Sequence, residues 1–256
     1  MKLLNLGCGR SYHHEWINVN FQSTGQGVIP CNLNCGLPFS DSTFHVVYHS
    51  HLLEHFPKHY APKFLKECFR ILRTGGIIRV VIPDLERIVR LYLNLLEKAK
   101  NGDKKARQQY EWIVIEMLDQ MVRDQSGGEM LNYWKQNPMP EEEFVIERCG
   151  SEVLNALAIL RNPANTGIIS ESEQLNCQTP VRDAESIGQF RLSGEVHQWM
   201  YDRYSLSLLL ENAGFKDIHP CSADESDIPN FNSYLLDIES DGAVRKPDSL
   251  FMEAKK

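Results

Sequence analysis

Short continuous apolar runs alternate along the chain with stretches whose apolar residues recur every three or four positions. The runs are typical of buried strands, and the wider spacing is typical of helices with one buried side. The runs predicted as strands are 3–6, 16–20, 28–33, 45–48, 77–82, 217–221 and 233–238. Strands that alternate with helices predict an α/β sheet with helices on both faces.

Two helices are predicted within this alternating pattern. The stretch 61–72 has apolar residues at helical spacing, and we predict that the helix ends at the glycines beginning with Gly75. A second apolar stripe covers 206–213, with Ser205 as its N-cap and Gly214 as its C-cap. Both helices belong to the same α/β pattern.

The alternation is interrupted between about residues 86 and 195. Helical spacing recurs in three stretches, 86–99, 104–124 and 144–161, and a polar stretch rich in Ser, Asn and Glu follows at 162–195. We therefore predict a core formed by 1–85 and 196–256, and a helical insertion, 86–195, that contains a mobile polar loop.

The composition predicts a globular protein with a hydrophobic core. Hydrophobic residues make up 42% of the chain, and the net charge of −7 disfavours a nucleic-acid partner. No apolar run approaches the length of a membrane span, and MKLLNLGCGR lacks the apolar core of a signal peptide. The seven cysteines have no disulfide-framework spacing, so reduced thiols and a cytoplasmic location are expected.

The segment 48–60, YHSHLLEHFPKHY, contains the H-x-x-E-H pattern of inverted zinc peptidases at His51, Glu54 and His55. A zinc site of that type needs a long helix and a further acidic ligand. Pro57 interrupts any helix two residues after His55, because proline clashes with a continuing helix. We therefore expect no metal site in this segment.

Glycines follow the first predicted strand at the position where open parallel sheets bind ligands. Gly7 and Gly9 lack side chains, so a ligand can approach the backbone closely. Two polar residues, Asn20 and Asn32, lie at the ends of the next two predicted strands, in regular order along the sequence after this turn. Because the G-x-G-x-x-G and G-x-x-x-x-G-K-[ST] patterns are absent, NAD and ATP are disfavoured.

Five runs together resemble a class I S-adenosylmethionine-dependent methyltransferase of the methyltransferase type 11 kind: LNLGCG, WINVN, LPFSDSTFHVVYHSHLLEH, FRILRTGGIIRVVIPDLE and HQWMYDRYSLSLLLENAGF. The resemblance is closer to a bacterial branch associated with cell-surface polysaccharides and secondary metabolites. It covers 1–86 and 196–238, and less specifically 126–130. It implies a Rossmann-like seven-stranded sheet and S-adenosylmethionine as the methyl donor, with S-adenosylhomocysteine as product. The oligomeric state is not implied.

The resemblance also implies roles for individual residues. Those placed at the cofactor are Gly7, Cys8, Gly9, Asn20, Phe21, Asn32, Leu33, His49 and Ser50. Asn20 stands where the family has an acid for the ribose hydroxyls, Phe21 could pack on adenine, and Asn32 stands at the adenine amino group. Because both positions carry Asn instead of the usual Asp, the charge-assisted part of each hydrogen bond is lost. We expect a modest cofactor affinity.

Three histidines, His51, His49 and His197, are candidates for a general base. A neutral imidazole has a pKa suited to removing a proton from a hydroxyl or amine near neutral pH. Two alternatives stay open. His51 and Glu54 could instead hydrogen-bond within the turn and shape the pocket wall, and His197 could serve packing instead of acceptor contact.

The insertion follows the carboxyl end of a strand, so we expect it to form a cap that selects the acceptor and excludes water. Its apolar stripes are predicted to be packing surfaces: Ile88, Leu91 and Leu95, then Val114, Met117, Leu118 and Met121. The expected reaction is methyl transfer to an oxygen or nitrogen of a small molecule or glycan. A catalytically silent cofactor-binding or partner-binding module of the same fold is the alternative.

Overall fold

The computed structural model describes residues 1–162 and 183–256, which divide into two compact units. Unit 1 consists of Met1–Glu86 and Gln198–Lys256, and unit 2 consists of Arg87–His197. Residues 163–182, the larger part of the predicted polar loop, lie outside the described residues.

Unit 1 is built on a seven-stranded sheet with the order β3-β2-β1-β4-β5-β7-β6. The strands are β1 (Leu3–Leu6), β2 (Ile17–Asn20), β3 (Val28–Pro30), β4 (Phe44–Ser50), β5 (Leu72–Pro83), β6 (Lys216–Cys221) and β7 (Ser249–Lys255). Neighbours are parallel except at β7, which runs antiparallel to both β5 and β6. The predicted α/β class and Rossmann-like seven-stranded sheet are confirmed.

The helices alternate with the strands and then dominate unit 2. In chain order they are α1 (Ala61–Ile71), α2 (Leu85–Lys100), α3 (Lys104–Val122), α4 (Gly128–Trp134), α5 (Glu142–Cys149), α6 (Ser151–Leu160), α7 (Ala184–Leu192) and α8 (Arg203–Ala213). In the described ranges, no helix combines the length and the apolar character that crossing a bilayer requires.

The predicted strand at 233–238 is wrong, because the chain does not stay extended there. Asn230 and Leu235 have φ of 57° and 50°, which interrupt an extended chain, and Phe231–Tyr234 forms a single 3₁₀ turn. The strand that the prediction missed is β7, whose residues are buried because β7 pairs on both edges.

Two predicted helix ends are also corrected. Helix α1 ends at Ile71 because β5 begins at the next residue, so Gly75 lies inside a strand at φ 75° and is not the helix stop. The N-cap of α8 is Asp202, whose carboxylate accepts from the Ser205 amide at 2.8 Å. The Ser205 hydroxyl accepts in return from the Asp202 amide, which completes a capping box. Gly214 forms the predicted C-cap.

The two faces of the sheet are covered differently. One face packs against α1 and α8, as shown by buried contacts among Leu6, Val47, Phe64 and Leu206. The connections after β1 and β2 contain no helix, although parallel neighbours usually need a helical crossover. The irregular segment 222–248 packs over the other face instead.

Trp16 is the centre of this second face. Its ring lies edge-on to the rings of Tyr48, Phe231 and Tyr234, at centroid distances of 5.9, 6.3 and 5.3 Å. Aromatic pairs favour this edge-to-face geometry because the positive ring edge meets the negative face. Three rings from distant parts of the chain are thereby packed around one indole.

A buried ionic network fastens segment 222–248 to the sheet. Arg79 of β5 is fully buried, and its guanidinium donates to the carboxylates of Asp237 and Glu253, each at 2.7 Å. The Tyr48 hydroxyl donates to the second oxygen of Asp237 at 2.6 Å. Further guanidinium hydrogen bonds go to the carbonyls of Ser222, Ala223 and Glu225. Every charge in the network therefore has a partner, as burial requires.

Unit 2 has its own hydrophobic core, formed by residues of α3 to α6, among them Trp112, Tyr133, Trp134, Val145 and Val153. The predicted helix 144–161 is two helices, because Gly150 has a φ of 57° between them. Residues 184–192, predicted as loop, form α7, whose first turn is capped by the Asp183 carboxylate accepting from the Ser186 amide at 2.7 Å.

The buried face of α3 differs from the predicted stripe. Leu118 of that stripe is exposed, whereas Glu116 and Asp119 are buried. Glu116 pairs with the Arg148 guanidinium and accepts from the Trp112 indole N–H at 2.9 Å. Two acidic residues can face the interior because buried cations and N–H groups balance them.

Replacing Arg79 with Met should lower the free energy of unfolding by about 3–5 kcal/mol, because Asp237 and Glu253 would remain as buried carboxylates without a counter-charge. Arg70 is the matched control, since its pair with Glu67 is partly exposed and Arg70→Met should cost about 1 kcal/mol or less. Urea unfolding measures both changes. An equal decrease in unfolding free energy for the two variants would contradict the larger contribution of the buried network to stability.

Candidate functional site

The glycine turn after β1 lies beside the turn after β4. The two strands are parallel neighbours, and Leu6 is opposite His49 in their register. A Cβ atom on Gly7 would stand 2.8 Å from a terminal carbon of Leu52, and the φ of 66° at this position also favours glycine. Strand order reverses between β1 and β4, which is where open α/β sheets bind ligands.

Gly9 offers an open position in this turn. Its φ is 52°, and a Cβ atom there would meet no atom within 4 Å among the described residues. Its amide donates to the Asn20 side-chain oxygen at 3.4 Å, which joins the ends of β1 and β2. Burial raises the pKa of the neighbouring Cys8 to about 11, so that thiol stays protonated. The turn can therefore hold a ligand through backbone atoms.

Two buried asparagines that the sequence analysis missed hold the loop after β1. Asn5 and Asn18 are opposite each other in the register of β1 and β2, and their side chains are hydrogen-bonded at 3.3 Å. Asn5 also donates to the Ser11 carbonyl at 3.1 Å, and Asn18 to the carbonyls of His13 and Trp16 at 2.9 and 2.8 Å. Each of these asparagines interrupts an otherwise apolar strand, and this feature of the sequence could have identified them.

The side chains expected near adenine lie at the ends of β2 and β3. Phe21 is 59% exposed. The Asn32 side-chain oxygen accepts from the Asn34 amide at 3.0 Å and so caps the 3₁₀ turn Leu33–Cys35. The buried Leu33 is held through its carbonyl, which accepts from the Tyr60 hydroxyl at 2.9 Å. The structure thus provides a free aromatic ring and an amide already engaged in a local cap.

His51 is held in a strained conformation directly after β4. Its φ is 48°, which is unfavourable for a residue with a side chain and recurs at functional sites. Its amide donates to the Val81 carbonyl at 2.9 Å, and its Nδ1 lies 3.3 Å from Glu54 Oε1. The H-x-x-E-H letters span this turn and the single 3₁₀ turn Leu53–His55, so they do not lie on one long helix.

Glu54 is fully buried in the same turn. Burial raises the pKa of its carboxyl to about 8; Lys246 opposes this shift and Asp248 adds to it. The Glu54 carbonyl accepts from the amides of Gln198 and Trp199 at 2.7 and 3.2 Å. The Glu54 side chain therefore places a titratable carboxyl in the turn. Its backbone carbonyl holds the segment at Gln198 and Trp199, where the chain re-enters unit 1.

His49 and His197 have different surroundings. His49 is fully buried, its ring lies 5.4 Å from that of Phe64, and burial lowers its pKa to about 3. Neither ring nitrogen has a hydrogen-bond partner within the described residues. His197 belongs to unit 2, where its amide donates to the Gln120 carbonyl at 2.9 Å.

Residues 20–80 match the family model described as a methyltransferase domain. The matched range runs from the end of β2 into β5 and includes the turn that holds His51 and Glu54. No match is found among curated proteins.

Three solved structures are similar to the chain. A SAM-dependent methyltransferase from Archaeoglobus fulgidus is 12% identical, with 100% of this chain and 86% of that chain covered and a TM-score of 0.42. One from Mesorhizobium loti is 11% identical, with 100% and 90% covered and a TM-score of 0.38. One from Aquifex aeolicus is 11% identical, with 99% and 81% covered and a TM-score of 0.37.

Glu54→Gln should change how stability depends on pH. The folded-state pKa of Glu54 is about 8, above its usual 4.5, so its contribution to stability is full below about pH 4.5 and is lost as the pH rises towards 8. The neutral Gln loses nothing in this range. Urea unfolding from pH 5 to 9 should therefore show wild type losing on the order of 3 kcal/mol relative to the variant.

Glu67→Gln is the control for this comparison. The pair with Arg70 lowers the pKa of Glu67, so its contribution is lost only as the pH falls below the usual range and should stay constant from pH 5 to 9. A constant difference between wild type and Glu54→Gln over the same range would contradict the raised pKa.

Proposed function

We propose that this chain is a class I S-adenosylmethionine-dependent methyltransferase and that it transfers a methyl group to an oxygen or nitrogen atom of a small molecule or glycan. The observation that carries the proposal is the strained His51 beside the buried Glu54, next to the glycine turn. When bound, S-adenosylmethionine supplies the methyl group on a cationic sulfur and leaves as S-adenosylhomocysteine.

The residues of the turn fit such a cofactor. The open space at Gly9 can accept ligand atoms, and the Gly9 amide and the Asn20 amide group lie beside that space. We assign Gly7, Gly9 and Asn20 to the methionine and ribose part. Phe21 has the exposed ring that packing on adenine requires, and the Asn32 side-chain oxygen, which accepts from the Asn34 amide, has a second lone pair for the adenine amino group.

His51 is the group we assign to remove the acceptor's proton. A hydroxyl or ammonium must lose its proton during methylation, and a positioned imidazole is suited to take it. His49 is unsuited near neutral pH because its pKa of about 3 makes it too weak a base. We therefore assign His49 to packing of the core against Phe64.

Unit 2 is assigned to selection of the acceptor. The chain leaves unit 1 after β5, which ends at the same edge of the sheet as β4. It returns to unit 1 at Gln198, whose amide donates to the Glu54 carbonyl. Both connections therefore begin at the edge of unit 1 that carries the His51 turn. Helical insertions at such an edge are suited to reading an acceptor and excluding water.

A catalytically silent module is the second candidate. The Asn20 side-chain oxygen accepts from the Gly9 amide of the turn after β1, and the Asn32 side-chain oxygen accepts from the Asn34 amide of its own loop. Each position also lacks the charge of the acid that the family usually has there. These two features would weaken cofactor binding, so affinity for S-adenosylhomocysteine separates the two candidates.

Gly9→Val should abolish binding of S-adenosylhomocysteine, because the new side chain fills the open space beside Asn20. Gly75→Val is the matched control, since Gly75 also has a positive φ and open space around its Cβ position but lies at the start of β5. Isothermal titration should show at least a hundredfold weaker binding for Gly9→Val only. Normal binding by Gly9→Val would refute this placement of the cofactor.

Methyl transfer from radiolabelled S-adenosylmethionine should be tested with phenols and methyl glycosides as oxygen acceptors, and with imidazole and primary amines as nitrogen acceptors. We expect labelling of at least one class, and a kcat about 100-fold lower in His51→Gln because a positioned base is lost. The exposed His59 provides the control variant His59→Gln. Binding of S-adenosylhomocysteine without labelling of any acceptor would favour the silent module.

A further inference from the structure

A third side chain extends the pair formed by His51 and Glu54. Ser249, the first residue of β7, places its Oγ 2.8 Å from His51 Nε2, while His51 Nδ1 faces Glu54 Oε1 at 3.3 Å. Ser249 and Glu54 are buried, and the His51 side chain is 12% exposed. His51 Nε2 is therefore within hydrogen-bond distance of Ser249, and Nδ1 is in close polar contact with Glu54, so the three groups lie in a row.

We propose that Ser249, His51 and Glu54 form a proton relay in which the Ser249 hydroxyl faces the acceptor. The inference rests on the proposed methyl transfer and assigns its proton path. The proton of the acceptor's O–H or N–H bond passes to Ser249 Oγ while the Ser249 proton passes to His51 Nε2. The acceptor atom keeps the electron pair of the broken bond. Ser249 is restored as a hydroxyl, and His51 becomes an imidazolium beside Glu54.

The charge of Glu54 sets the direction of this relay. An ionised Glu54 accepts from His51 Nδ1–H, which leaves Nε2 free to accept from Ser249. A protonated Glu54 donates to Nδ1, so that Nε2 carries the hydrogen and donates to Ser249, and the relay cannot take up a proton.

Several groups bias the charge of Glu54. Lys246, from the segment before β7, favours the ionised form, and Asp248 beside it favours the protonated form. Tyr201, from the segment before α8, also interacts with Glu54 and stays a neutral phenol because burial raises its pKa to about 12. With the pKa of Glu54 at about 8, the relay becomes competent as the pH rises through that value.

The same residue types form the Ser-His-Glu triads of hydrolases, in which serine attacks a carbonyl. One feature favours the relay. The amides beside Ser249 are occupied: its own donates to the Lys246 carbonyl at 3.2 Å, and that of Asp84 donates to the Asp248 carbonyl at 3.1 Å. They are therefore not free to bind an oxyanion.

Nitrogen-15 NMR of the histidine side chains, with S-adenosylhomocysteine added, tests the relay without any acceptor. Wild type should change from the Nε2–H to the Nδ1–H tautomer of His51 between pH 6.5 and 9. Glu54→Gln should abolish this change. Ser249→Ala should keep it but shift the Nε2 resonance at pH 9, whereas Ser222→Ala, at an exposed serine, should not. A tautomer independent of pH, or an Nε2 resonance unaffected by Ser249→Ala, would overturn the relay.

Kinetics with the acceptor class labelled above provide the second readout. Ser249→Ala should lower kcat about 100-fold, with S-adenosylhomocysteine affinity within twofold of wild type, and Ser249→Thr should restore most of the rate. An unchanged kcat in Ser249→Ala, or covalent labelling of Ser249 by a fluorophosphonate together with ester hydrolysis, would overturn the proposal. An intact tautomer change without transfer to any acceptor would instead refute the proposed function.

Discussion

The burial of Arg79 in the middle of the sheet is the constraint on which unit 1 depends. A guanidinium can lie there only with opposite charges and acceptors around it, and these come from Asp237, Glu253 and the carbonyls of segment 222–248. That segment must therefore close over the sheet. By closing, it supplies Phe231 and Tyr234 to Trp16 and covers the face that lacks crossover helices. The buried charge of Arg79 thus determines which segment packs on this face of the sheet.

Much of the fold could be predicted from local sequence patterns. The elements that were predicted wrongly are determined by tertiary contacts or by backbone conformations that these patterns do not reveal. The continuous apolar strands and the glycine turn after β1 were predictable because each is encoded within a few residues. The strand expected at 233–238 failed because Asn230 and Leu235 adopt positive φ, which apolar spacing does not reveal. The buried Glu116 of α3 was missed because its charged partner, Arg148, lies on α5.

The candidate site divides in the same way. The family resemblance indicated that the glycine turn and the end of β4 lie at one site, but the sequence did not indicate that the Leu52 side chain lies beside Gly7. The full burial of Glu54, and with it the raised pKa, depends on residues far along the chain. Ser249 could not have been found from spacing, because its position depends on how β7 enters the sheet.

The place of β7 has a consequence for the order of folding. Strand β6 pairs with β7 and joins the sheet only through it, and β7 pairs with β5 across a long stretch of chain. Closing such distant contacts costs loop entropy before they contribute stability, so they form slowly. An intermediate with only β1 to β5 paired would already have the glycine turn and His51. It would lack Ser249 in position, so the contact between Ser249 and His51 would form only once β7 has entered the sheet.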